Sequence, residues 1–156
     1  MKWINPPESL RREARDTARA MSQENVDAFK RFIDGFNRRD VEAMLEEVDA
    51  GVEWRPAAPV ALGGEATVYR GHAGIPDGLR DLHDSFTELQ IEISEIQQVG
   101  DRVVGIGHIR TRGKGSGAES WSPFGAVMEF KNGKATQIRS FLDPRDALEA
   151  VAENVR

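Results

Sequence analysis

Asp143 is the side chain whose type and neighbours best suit it to chemistry in this chain. It follows the run KATQIRSFL (134–142), which reads as a strand, and precedes Pro144-Arg145-Asp146-Ala147-Leu148, which reads as the start of a helix. A carboxylate ending an inward-facing strand can act as a general base. An Asp followed by Pro at the first helical position can equally act as a helix cap. Alternation puts Arg139, Phe141 and Asp143 on one face of the strand and Ile138, Ser140 and Leu142 on the other. If the first set lines an apolar chamber, desolvation raises the Asp143 pKa, Arg139 lowers it, and the balance tunes a base. As a cap, Asp143 is held ionised and weakly basic by the helix N-terminal dipole.

His72, His83 and His108 lack the close spacing of a metal site, so no metal is expected. His108 lies mid-strand on the face of Val104, Ile106 and Arg110, either a pocket acid or base or a satisfied sheet histidine. His83 falls between inward Leu82 and outward Asp84, at the boundary of the helix's buried and exposed faces, and His72 sits at a helix start. Trp54, Tyr69, Trp121 and Phe124 are the bulky residues outside the helices. With Phe141, they divide between core packing and the wall of a ligand chamber, where Tyr69 can donate to a substrate oxygen. The expected ligand contacts are Trp54, Tyr69, Trp121 and Phe141. The glycine-rich segment Arg112–Gly117 joins two strands rather than a strand and a helix, which favours a hairpin loop over a phosphate cradle. No Gly-x-Ser-x-Gly elbow supports a serine triad.

A chain of 156 residues without Cys fits one domain in a reducing compartment, and excludes disulfides and cysteine nucleophiles. No segment is apolar enough to span a membrane and the first residues lack a signal-peptide core, so a cytoplasmic protein is expected. The net charge of −5 argues against nucleic-acid binding. Residues 1–20 carry a net +2, leaving −7 for the rest; their mixed signs suit a solvated helix.

These residues are positioned by a legible series of elements. Residues 1–20 form an N-terminal extension, loosely ordered or helical, with a thin stripe of Leu10, Ala14 and Ala18. Residues 21–156 form the single domain. Val26, Phe29, Phe32, Ile33 and Phe36 repeat as one helix face, and Asp40 caps a short helix with Val41, Met44, Leu45 and Val48 inward. Val52–Arg55 is a strand stopped by Pro56, and residues 67–69 return to extended structure. Ile75, Leu79, Leu82 and Phe86 mark a third helix. Four long strands follow, about 88–99, 102–112, 119–131 and 134–142, turning at Gly100-Asp101, residues 114–117 and Asn132-Gly133. Segregated helices and strands indicate an α+β fold with helices on one face of a curved sheet.

Val52-Glu53-Trp54, then Tyr69-Arg70-Gly71-His72 entering a helix, then Gly113–Gly117, then Phe141-Leu142-Asp143-Pro144 with Ala147-Leu148, resemble the SnoaL-like branch of the nuclear-transport-factor-2-like superfamily. The resemblance runs from about Ser22 to Val151. It implies a cone-shaped α+β fold: a curved mixed or antiparallel sheet with N-terminal helices packed over it, enclosing a deep apolar pocket. It also implies frequent dimerisation through the sheet. The superfamily includes polyketide cyclases and ketosteroid isomerases. SnoaL-type cyclases use an Asp near the end of the last long strand as general base, in a pattern like Ile-Val-Glu-His-Trp-Asp. Here the span is Ile138-Arg139-Ser140-Phe141-Leu142-Asp143, so the Asp matches while Phe141 and Leu142 replace His and Trp. The isomerase base after the first strand has no counterpart in Glu53-Trp54-Arg55-Pro56.

Two function classes follow. One is a small cofactor-free acid–base enzyme (cyclase, isomerase or hydratase-like) on an apolar oxygenated molecule, using Asp143, His108 and Arg139. The other is a non-catalytic ligand-binding or dimeric interaction module. A desolvated carboxylate beside a second titratable group would favour the enzyme; a wall of aromatic and aliphatic groups would favour binding. A homodimer is expected, because the sheet face left by the helices is broad, with Trp121, Phe124 or Met128 losing accessibility in it.

Overall fold

The computed structural model describes residues 6–57 and 65–153. Its elements, in chain order, are α1 (Glu8–Arg38), α2 (Val41–Leu45), β1 (Val48–Arg55), β2 (Tyr69–Arg70), α3 (Gly71–Ser85), β3 (Phe86–Val99), β4 (Arg102–Gly113), β5 (Glu119–Lys131), β6 (Lys134–Phe141) and α4 (Pro144–Ala152). The strands form one open mixed sheet in the order β2-β1-β6-β5-β4-β3, with β1 parallel to β6 and every other pairing antiparallel. This is the α+β architecture expected. No described helix is long and apolar enough to cross a membrane.

Local chemistry sets the boundaries. Asp40 accepts the Ala43 N–H at 3.1 Å and starts α2. Asn132 and Gly133 turn β5 into β6 at φ 52° and 78°, the paired left-handed values that a two-residue hairpin demands. Helix α1 is continuous across Met21, and its residues 8–20 are exposed throughout. Its first turns are tied by ion pairs along the helix, Glu8 to Arg11 at 3.2 Å and to Arg15 at 2.8 Å. From Ala28 onward the helix buries Phe29, Phe32, Ile33 and Phe36 against the sheet.

The main core lies between the concave sheet face and α1, α2 and α3. Asn37 anchors the edge strand: its side chain donates to the Ile91 carbonyl at 2.9 Å and accepts the Ile91 N–H at 2.8 Å. One amide thus completes the ladder where the sheet would otherwise end. Helix α4 departs from the one-face expectation. It crosses to the opposite face, where Ala147, Ala150 and Val151 pack on Val104 and Val127. Gly125 makes this approach possible, since a Cβ there would stand 2.6 Å from the Ala147 Cβ. The sheet is therefore covered on both sides at the α4 end and on one side elsewhere.

Candidate functional site

A chamber of about 300 Å³ opens between the concave face and the helices. Alternation selects its wall: Ser120, Ser122, Phe124, Ala126 and Met128 from β5, Ile109 and Thr111 from β4, and Ile138, Ser140 and Leu142 from the last strand and the residue after it. Phe32, Ile33 and Phe36 of α1 face them, with Trp54 at one side. Trp54 is held edge-on to Phe32 and Phe36, each ring centroid 6.4 Å away. Met128, Ile138 and Trp54 are buried and form the inner end; Ser120 and Leu142 are exposed and lie at the mouth. Every described residue of the lining is uncharged. Residues 58–64, which follow Ala57 in the chain, have the sequence APVALGG, without an ionisable side chain.

The β6 parity is the reverse of the one that would have made Asp143 a chamber base. Arg139 and Phe141 project from the outer face, where the Arg139 guanidinium stands 5.0 Å from the Phe141 ring centroid. Arg139 borders a polar groove with Arg55, Arg102 and Glu129, and Phe141 packs beside α4. Asp143 is the α4 cap: its Oδ1 accepts the Arg145 N–H at 2.9 Å, and its Oδ2 takes an ion pair from the Arg145 guanidinium at 2.9 Å. The Arg145 side chain, then its backbone N–H, hold the Asp143 pKa below the usual carboxylate value. A carboxylate held ionised is a weak base, and Asp143 lies outside the chamber lining.

His108 is on the outer face as well. It stacks on Trp121 with ring centroids 4.9 Å apart and planes 12° from parallel. Asp143, His108 and Arg139 therefore do not meet in the apolar chamber. Of the four expected ligand contacts, only Trp54 lines it. Tyr69 packs on Trp54 at 5.8 Å and donates to Asp81 Oδ2 at 2.8 Å. Burial, reinforced by the Asp81 bond, pushes the Tyr69 hydroxyl up to about 12. Phe124 and Met128 point into the chamber and are already buried, so of the three residues expected to lose accessibility on association only Trp121 offers exposed surface. His72 Nε2 lies 3.2 Å from the Val48 carbonyl, a structural contact.

Sequence reasoning missed the hydroxyls of Thr111, Ser120, Ser122 and Ser140. Their signal was parity: Ser120 and Ser122 share the period-two face of Phe124, Ala126 and Met128. Ser120 Oγ and Ser122 Oγ lie 3.0 Å apart. What the arrangement can do is hold an apolar molecule while offering hydrogen bonds at the entrance.

Residues 29–138 match the model of a family described as SnoaL-like domain. Among solved structures, an NTF2-like protein of unknown function from Burkholderia pseudomallei K96243 is 21% identical, with a TM-score of 0.70 over 83% of this chain and 98% of that one. TerC, co-crystallised with polyporic acid, is 26% identical, with a TM-score of 0.69 over 82% and 98% of the two chains. An NTF2-like protein from Burkholderia xenovorans LB400 is 25% identical, with a TM-score of 0.65 over 83% and 97%. No curated protein matches this chain.

Proposed function

Because this chain belongs to the SnoaL-like domain family, we propose that its chamber binds an apolar small molecule, and that binding rather than acid–base catalysis is what the site is built for. The observation that carries this reading is the uncharged lining: aliphatic and aromatic side chains with a few hydroxyls. A general acid or base must come within hydrogen-bond reach of the proton it moves. Asp143 and His108 are engaged elsewhere, the first by Arg145 and the second by Trp121. The volume lies at the small end of ligand pockets, which run from about 300 to 1,000 Å³. TerC, a structural relative co-crystallised with polyporic acid, adds support for ligand occupancy of this fold.

The test is titration with N-phenyl-1-naphthylamine, an uncharged probe whose emission rises in apolar surroundings. Saturable binding is expected, with loss of Trp54 fluorescence. Ala126→Phe, which fills the middle of the chamber, should abolish binding while cooperative unfolding persists. Absence of saturable binding to the unmodified protein would overturn the reading, as would full binding by Ala126→Phe.

A further inference from the structure

The polar atoms of the chamber wall are unevenly placed. Thr111, Ser120 and Ser122 gather at the mouth, where the first residues of β5 run beside the last of β4 and Thr111 pairs in register with Ser120, while Ser140 lies alone farther along, in register with Ala126. Deeper along the same face of β5 come Phe124, Ala126 and Met128, all buried and apolar. The chamber is thus amphipathic along its length.

Each hydroxyl offers one donor and two acceptor lone pairs. The 3.0 Å contact between Ser120 Oγ and Ser122 Oγ uses one donor and one lone pair. The pair retains a donor and several acceptor positions, so it can serve a carbonyl oxygen or a hydroxyl alike. Among the described residues of the lining, none carries a charge to pair with a charged ligand. The cations that flank Thr111 in sequence, Arg110 and Arg112, alternate to the outer face, and Arg112 is bound to Glu119 at 2.6 Å, to Glu88 at 3.5 Å and to the Gly117 carbonyl at 3.2 Å.

We infer that the chamber selects uncharged ligands with a hydroxyl or carbonyl at one end of an apolar body, and that the Ser120–Ser122 pair fixes their orientation with the oxygen at the mouth. This rests on the binding role proposed above and names the ligand class for the same site. Apolar burial supplies the attraction. The serines supply direction, because they gather hydrogen-bond donors and acceptors at the mouth, whereas Met128 and Ile138 farther in offer none. A carboxylate would enter a wall that offers it no counter-charge.

The experiment compares naphthalene, 2-naphthol and 2-naphthoate at pH 7 as competitors of N-phenyl-1-naphthylamine. With the natural sequence, 2-naphthol should bind about three- to tenfold more tightly than naphthalene, as one added hydrogen bond predicts, and 2-naphthoate more weakly than either. The double variant Ser120→Ala/Ser122→Ala should bring 2-naphthol to the level of naphthalene and leave naphthalene unchanged. Ser122→Thr, which keeps a hydroxyl, should retain the preference. Equal affinity for naphthalene and 2-naphthol, or tightest binding of 2-naphthoate, would overturn the inference while the chamber reading stands. So would a double variant that weakens both neutral ligands alike. If the fluorescent probe itself fails to bind, the chamber reading falls and this inference falls with it.

Discussion

Gly78 lies against the Trp54 indole so closely that a Cβ on it would stand 2.5 Å from Trp54 Cζ3 and 2.9 Å from Cε3. The two residues come from α3 and β1, 24 positions apart in the chain, and their contact sets how near the helix sits to the sheet. It also holds the indole on its edge-to-face contacts with Phe32 and Phe36, which places it at the chamber wall.

Gly78→Ala should therefore displace the indole. Overpacking costs about 1–3 kcal/mol, which exceeds the roughly 1 kcal/mol that Ala gains over Gly inside a helix. Thermal unfolding should move down by about 2–6 °C, and N-phenyl-1-naphthylamine should bind more weakly. A raised melting temperature would show that the indole has room to yield.

Asp143 separates its capping role from any chemical one by a single atom type. Asp143→Asn keeps an N-cap acceptor, whereas Asp143→Ala removes it and should cost about 0.5–2 kcal/mol in denaturant unfolding. Neither change should alter binding in the chamber. A folded Asp143→Asn protein that loses ligand affinity or turnover would return the carboxylate to the functional site.

His83 predicts a pH effect. Both ring nitrogens are shielded from solvent and lack a hydrogen-bond partner among the described residues. Burial, followed by the Arg39 charge, lowers the His83 pKa; an approach to the Phe86 backbone, poorer than a hydrogen bond, offsets only part of this. The folded state therefore disfavours the proton that the unfolded chain accepts near pH 6.5. This contribution to stability is complete above about pH 6.5 and is lost as pH falls through the lower folded-state value. Denaturation midpoints between pH 7.5 and 5 should show the decline, and His83→Leu should flatten it. An unchanged slope in His83→Leu would assign the effect to other groups.

Trp121 is 52% exposed on the outer sheet face, stacked on His108. An aromatic residue so placed is expected to be covered by a second copy of the chain. Sedimentation should give a dimeric mass that Trp121→Glu shifts toward monomer. A concentration-independent monomer would rule the pairing out.

Residues 8–20 extend α1 with every side chain exposed. A chain beginning at Met21 should melt within a few degrees of the full-length protein, because little buried area is removed. Aggregation or a large drop in melting temperature would show that the extension is docked in solution.

Much of this architecture is legible in the sequence because the physics involved is local. Asn132-Gly133 specifies its turn through the φ values the two residues tolerate. Asp40 and Asp143 cap helices through their own short side chains. The Phe29, Phe32 and Phe36 stripe reports its buried face through helical periodicity alone. Strands β3 to β6 follow from their turns to within a residue or two at each end.

The candidate site was not legible, and the reason is parity. Strand β6 alternates Ile138, Ser140 and Leu142 with Arg139, Phe141 and Asp143, and both sets hold polar and apolar members. Nothing within a strand says which of two mixed faces a helix will cover. Tertiary packing made that choice: α1 and α3 cover the Ile138 face, while α4, admitted by Gly125, crosses to the Phe141 face. A single step of parity thus moved Asp143, Arg139, His108 and Trp121 outside and brought Ser120, Ser122 and Thr111 in. Because alternation has a period of two, the sequence by itself determined which residues share a face, and only the packing of helices from distant parts of the chain decided which face became the chamber.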